Sequence, residues 1–348
     1  MNNSISLRLV ASLSSALFAS ALVIACSSSD DGDGKTKQPV GGGDGGKDSG
    51  GGDPKPPPTG WSSVVGDVGT FVQTFDEQNW QERTISAHNL YGVGCMGNFI
   101  GWAVGSEGGV WYTVDAGKTW IDQSSGTTSA LRTVRFFDTK HGVVAGDNGA
   151  LSVTEDSGQH WRLVPDTPKL TLRGAAAAKS GLFVVAGDGG TILRSLDSGA
   201  TFTKSTITGA GDLRGVAGDL DGAILLAADT TGHIFLSRDN GATFALEKDV
   251  GVPLNHITVS SHGDFAMAVG PGGKAFTRTA DGTWHATNTG TTADLNASLI
   301  DSGEGYLTRR YWYVAGANGT LLGSEDRGAT WTKVPLRTTS NLYGLEDL

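Results

Sequence analysis

The sequence predicts an all-β fold, a seven-bladed β-propeller of four-stranded blades, and three observations carry that expectation. First, a version of Ser/Thr-x-Asp-x-Gly-x-Thr-Trp/Phe recurs seven times, centred on Asp76, Asp115, Asp156, Asp197, Asp239, Asp281 and Asp326, with gaps of 39, 41, 41, 42, 42 and 45 residues. A period of roughly 40–50 residues is that of one propeller blade. Second, each copy follows a short apolar strand closed by glycines, as at 102–109, 143–149 and 184–190, and precedes a further apolar stretch such as 131–134. Strand, Gly-rich turn, strand, motif and strand, completed by that further stretch, make four strands per repeat. Third, the ends complement one another: 341–345 echoes 89–93, the first strand of the first full repeat, while 64–74 matches 103–113.

The motif has the composition of a tight hairpin. Asp and Ser/Thr side chains accept hydrogen bonds from nearby backbone N–H groups, the glycine takes a positive φ, and the aromatic residue opens the next strand. The copies ending at Trp120, Phe202, Phe244 and Trp331 are complete, and the one ending at Trp161 has His160 in the threonine slot. Residues 279–284 have lost two positions, and 74–80 lack the glycine. A feature present in every blade is not one active site, so the aspartates read as turn structure. The motif resembles the Asp-box, or BNR repeat. With its Gly-Trp-Ala-Val-Gly style strand, the unit as a whole resembles that of the photosystem II assembly factors of the Ycf48/Hcf136 type, from Trp61 to Leu348. That resemblance implies seven blades and an arginine-rich patch on one face. The seventh blade is expected to combine one C-terminal strand with three N-terminal ones, a closure that removes exposed sheet edges.

Three domains are expected: 1–25, 26–60 and 61–348. With 53 glycines and only 18% charged residues among 348, the chain suits a turn-rich all-β protein. The first 60 residues depart from this. Arg8 precedes the apolar, serine-diluted run 9–25, too short for a comfortable spanning helix, so a secretory signal is favoured over a transmembrane anchor. Ending in Val23-Ile24-Ala25-Cys26, it resembles a bacterial lipobox. That implies lipidation of Cys26 by a thioether-linked diacylglycerol and an amide-linked acyl chain, a multi-chain anchor. Ser27 after the cysteine points, by resemblance to enterobacterial sorting, to the outer membrane. Residues 27–60 hold eleven glycines, five of the ten prolines and almost no apolar side chain, so they cannot bury enough surface to fold. They read as a flexible tether with a span of roughly 30–35 Å.

Composition narrows the function classes. Setting aside Arg8 and the six acids and four lysines of 27–60 leaves 30 acidic and 21 basic residues in the propeller, a balance of −9. Nucleic acid and anionic lipid are therefore poor general partners for its surface. Besides Cys26 the chain has only Cys95, so no intradomain disulfide can form, and Cys95 reads as a small buried hydrophobe. The seven histidines form no His-x-x-x-His pattern, and neither a metal nor a cofactor is expected.

The candidate site comes from position around the ring. Counting 17 residues past a motif aspartate reaches the start of the next blade's innermost strand, at Arg132, Arg173, Arg214, His256 and Tyr343. Tyr91 aligns through its Asn-Leu-Tyr-Gly segment, and Asn296 after allowance for the shortened motif. Three neighbouring arginines at one mouth of the axial channel suit a carboxylate, a phosphate or an acidic peptide, because guanidinium is a fixed fork of donors. Asp67, Asp147, Asp188 and Asp229 are expected at one equivalent position in the Gly-rich turns of the same face. Arginine and aspartate could pair into a purely structural ring, the arginines could receive a partner, or the aspartates could hold a cation; the sequence leaves all three open.

Asp-boxes also occur in sialidases, which use an arginine triad, an acid and a tyrosine–glutamate pair. Here the Arg-Ile-Pro signature and a glutamate placed to activate a tyrosine are missing, and the loops are short. The expectation is a monomeric, membrane-anchored lipoprotein of the bacterial envelope, without catalysis, whose propeller binds an envelope protein or acidic ligand. A sialidase-like or acidic-glycan-binding protein and a purely structural envelope protein are the alternatives.

Overall fold

The computed structural model describes residues 61–300 and 311–346. Cys26, the expected leader and the expected tether lie outside them. The described chain forms seven four-stranded antiparallel sheets. Blades 1 to 6 follow one another along the chain, with inner strands at Leu90–Met96, Leu131–Phe136, Leu172–Ala178, Leu213–Gly218, His256–Val259 and Leu295–Ile300. Blade 7 joins Leu342–Glu346, innermost, to Ser62–Gly66, Thr70–Thr74 and Gln81–Thr84. Its seam is antiparallel, with Val64 opposite Leu345 and Val65 opposite Gly344, the closure that the sequence predicts.

The apolar runs are second strands buried on both faces, so their side chains feed two different interfaces. In Gly142–Gly146, Val143 and Ala145 pack towards blade 3 while Val144 packs towards blade 2's other neighbour, blade 1. The core is accordingly seven inter-blade layers, one per interface. Between blades 1 and 2, fully buried Trp102 stacks on Phe136 with ring centroids 3.5 Å apart. Each motif aromatic docks into the layer shared with the preceding blade, as Trp120 does edge-on against Phe71 of blade 7.

The Asp-boxes close the hairpins between third and fourth strands. In the box of blade 4, Asp239 Oδ1 accepts from Ser237 Oγ and Thr243 N–H, its Oδ2 accepts from Thr243 Oγ1 at 2.6 Å, and Ser237 Oγ accepts from Gly241 N–H. The same network recurs around Asp115, Asp197 and Asp326. These bonds stabilise the charged carboxylate, with the threonine hydroxyl the strongest contributor, and hold Asp197, Asp239 and Asp326 down to about 2. The aspartates are turn closures, as their recurrence implies.

Second and third strands meet in a Gly-rich turn whose last glycine is obligatory. Gly149 has φ +74°, and a Cβ there would lie 2.1 Å from the Pro168 carbonyl oxygen. That contact brings the chain entering the next blade against the turn, so turns, entry loops and inner-strand starts share one face of the ring. Cys95 is half-buried beside Ser63 at the seam, its Sγ 3.9 Å from Ser63 Oγ.

Candidate functional site

The starts of the inner strands converge on a cavity of about 260 Å³ at the axis. Tyr91, Arg132, Arg173, Arg214, His256, Asn296 and Tyr343 all line it, so the count along the sequence brings the seven expected side chains to one mouth. Outside blade 5, each inner strand begins at a buried leucine, and a bulge follows that turns the next side chain towards the axis: Leu131 pairs with Gly146 and Thr133 with Ala145, leaving Arg132 between them. Blades 1, 3, 4 and 6 repeat this step at Tyr91, Arg173, Arg214 and Asn296.

Two readings from the sequence need correction. His256 is not the equivalent of the arginines. It pairs with Val269, as Thr133 pairs with Ala145 and Gly174 with Ala186, and so occupies the position after the bulge. The equivalent residue is Asn255, whose Nδ2 donates to the Leu295 carbonyl of the next blade at 2.9 Å as Asn296 Nδ2 donates to that of Leu342 at 3.1 Å. The segment entering blade 5 is one residue shorter, which moved the count by one. Asp229 is likewise out of line. Leu131 and Leu172 face Gly146 and Gly187, so Asp147 and Asp188 follow as first turn residues; Leu213 faces Asp229 itself. Blade 4 has one extra residue between its first two strands, and Thr230 holds the position that aspartate holds in blades 2, 3 and 7.

That slip divides the three arginines. Arg132 makes a two-pronged ion pair with Asp147, at 2.9 and 2.6 Å, and lies over the Tyr91 ring at 4.3 Å. Arg173 pairs with Asp188 at 2.7 and 3.3 Å. Asp67 accepts from Asn341 Nδ2 at 3.0 Å and Tyr343 OH at 3.4 Å. Asp229, fully buried, is turned away: it accepts from the N–H groups of Gly211, Thr231 and His233 and from the Thr231 hydroxyl. Arg214 has no hydrogen-bond or ion-pair partner among the described residues, and its Nε is buried. Burial and the charge of Arg173 lower its pKa, opposed by Asp188 and Asp212.

Deeper in the channel lies Arg135, which sequence counting missed. Its Nη1 donates to the carbonyls of Val93 and Val134 at 3.1 and 2.9 Å and meets Glu346 at 3.0 Å, tying blade 2 to the closing strand across blade 1. It lies three residues beyond Arg132, outside the repeat position; the odd arginine in the apolar strand 131–136 was the available signal. Burial, and then the Arg135 charge, hold His256 down to about 3, so its ring is neutral at physiological pH. Its Nδ1 accepts from Ser298 N–H at 3.2 Å and lies 3.0 Å from Ser298 Oγ.

A second cavity, of about 430 Å³, opens between the hairpins of blades 6 and 7. The box glycines Gly117, Gly199 and Gly328 rest on the third strand of the preceding blade, as Gly199 does on Val153. Blade 7 has Gln78 in place of that glycine and blade 6 has Gly323 in the facing strand, which leaves a gap lined by Trp80, Tyr311 and Tyr313. Among the described residues, no group of three or more His, Cys, Asp or Glu could hold a metal ion, and no helix is long and apolar enough to cross a membrane.

The fold has counterparts among known proteins. A solved YCF48 bound to a D1 peptide superposes with a TM-score of 0.57 at 20% identity, over 71% of this chain and 80% of that one. YCF48 from Cyanidioschyzon merolae gives 0.60 at 16% identity, over 78% and 97%. An ancestral GH74 enzyme gives 0.55 at 12%, over 74% of this chain and 38% of its own. At these identities the structures show the shared propeller alone. No curated protein matches the chain. The family described as photosynthesis system II assembly factor YCF48 matches residues 72–346. With that match over most of its length, the chain belongs to the photosystem II assembly factor YCF48 family.

Proposed function

We propose that the propeller is a non-catalytic docking module that receives an acidic segment of a protein partner at its axial mouth, held near a bacterial membrane by a lipidated Cys26 and the tether 27–60. The observation that carries this is the convergence of Arg132, Arg173 and Arg214 from consecutive blades on one open cavity, in a domain whose overall charge is negative. Family membership and the peptide-bound YCF48 support a polypeptide as the partner. The carboxylates at the mouth argue for binding over catalysis. Asp147 and Asp188 are paired with arginine and Asp67 is hydrogen bonded, so none is placed as a protonated general acid beside an open substrate position. Most glycosidases need two free carboxyls at the reacting bond, and a sialidase-like enzyme needs a glutamate to activate its tyrosine, which the residues lining the mouth do not include.

The test is recovery of envelope partners by pull-down with wild type and with Arg132→Gln/Arg173→Gln/Arg214→Gln. The ion pairs of Arg132 and Arg173 are half-buried at the mouth of an open cavity, outside the apolar layers, so the variant is expected to fold, with its thermal midpoint lowered by a few degrees and the specific partner lost. Undiminished partner recovery by the folded variant overturns the reading; turnover of an acidic glycan by wild type would replace it with the enzymatic one.

A further inference from the structure

The three arginines are not equivalent, and the difference suggests what the mouth accepts. We propose that Arg214 is the anchor of the site and that it takes a single carboxylate, supplied by a polypeptide partner, in the place that Asp147 and Asp188 fill for Arg132 and Arg173. This rests on the reading of the mouth as a docking site.

The geometry supports it in three steps. Blades 2, 3 and 4 present the same bulge, so the three guanidinium groups leave the inner strands in the same way. In blades 2 and 3 the residue after the turn-opening glycine is aspartate, and it closes a two-pronged ion pair at 2.6–3.3 Å. In blade 4 that residue is Thr230, while the neighbouring Asp229 is consumed inside the turn. The result is a guanidinium without a carboxylate, with a buried Nε beside Arg173. Desolvation makes an unmatched donor costly, so an acceptor gains more here than at a solvated arginine.

Charge selects a monoanion. Asp147 and Asp188 already balance Arg132 and Arg173, Glu346 balances Arg135, and Asp212 lies close enough to act on Arg214 while accepting Gly189 N–H at 2.9 Å. A monoanion matches the one guanidinium that no carboxylate touches, whereas phosphate near neutrality carries about 1.5–2 and would crowd more negative charge beside Asp212 and Asp67. The cavity of about 260 Å³ has room for a side chain or a chain end, and Tyr91 and Tyr343, edge to face at 5.6 Å, stand on its rim.

The experiment is a titration of the intact protein at pH 7 followed by the side-chain ¹⁵Nε–¹Hε resonances of its arginines, with acetyl-Ala-Ala-OH, acetyl-Ala-Glu-NH₂ and inorganic phosphate as probes. Arg214→Gln assigns the resonance. A saturable shift of Arg214 with a carboxylate probe, with Arg132 and Arg173 responding several-fold less, is the expected result. The two peptides tell a chain terminus from a side chain. Thr230→Asp restores the carboxylate that blades 2 and 3 own, and should weaken the response at least tenfold without touching Arg214; if it does not fold, binding by Arg214→Gln, measured calorimetrically, replaces it, with the same tenfold loss expected. Phosphate binding tighter than either peptide, a response spread equally over three arginines, or undiminished binding by the variants would each overturn the inference. If the triple variant loses its envelope partner while Arg214→Gln keeps it, the docking reading stands and the assignment to Arg214 falls.

Discussion

His256 shows how much one position matters at the axis. The other blades carry Gly92, Thr133, Gly174, Gly215, Ala297 and Gly344 at its place, small residues where inner strands crowd together. Blade 5 puts an imidazole there, held neutral by burial and by Arg135. A histidine whose folded pKa lies near 3 and whose unfolded value is near 6.5 contributes stability that is fully present above 6.5 and is lost as pH falls towards 3, because the unfolded chain takes up the proton first. Between pH 7 and pH 5 wild type should lose as much as about 2 kcal/mol through this group. His256→Gln should flatten that part of the profile, as measured by denaturant unfolding at the two pH values; an unchanged slope would show that His256 is solvated enough to titrate normally.

At the scale of one element, the Gly-rich turn separates two kinds of glycine that look alike in sequence. Gly149 combines positive φ with an oxygen 2.1 Å from any added Cβ, whereas Gly189, at φ +63°, has nothing within 4 Å. Gly149→Ala should therefore cost about 2–3 kcal/mol or more, since backbone on both sides must move. Gly189→Asn should cost less than about 1 kcal/mol, because Asn148 holds the same left-handed conformation in blade 2. Equilibrium denaturation of the two variants checks the contrast, and equal costs would contradict it. The order of strands and the split blade were legible in the sequence, because turn chemistry and apolar runs are local. The register of blades 4 and 5 was not. A residue gained between the first two strands of blade 4, and one lost on entering blade 5, leave every local signal intact while shifting which side chain meets the axis.

For the whole molecule, closure makes seven layers depend on one seam, where the described propeller joins its last strand to its first. A rigid ring presents the mouth as a fixed surface, and the proposed tether would let it search a radius of roughly 30–35 Å from an anchored Cys26. Cys26→Ser should shift the protein from the membrane to the soluble fraction on ultracentrifugation, with the propeller's melting unchanged. Retention of the variant in membranes would show that something other than the lipid holds it.

Turn chemistry and apolar runs recurring about every 40 residues are enough, from the chain alone, to read the blade count, the strands of each blade and seven residues expected at the axis. Which of those residues are already satisfied depends on the folded ring. Arg132, Arg173 and Arg214 are indistinguishable along the chain. They differ because ion pairing depends on strand register across a hairpin, and there a shift of one residue gives two of them a carboxylate and leaves the third without.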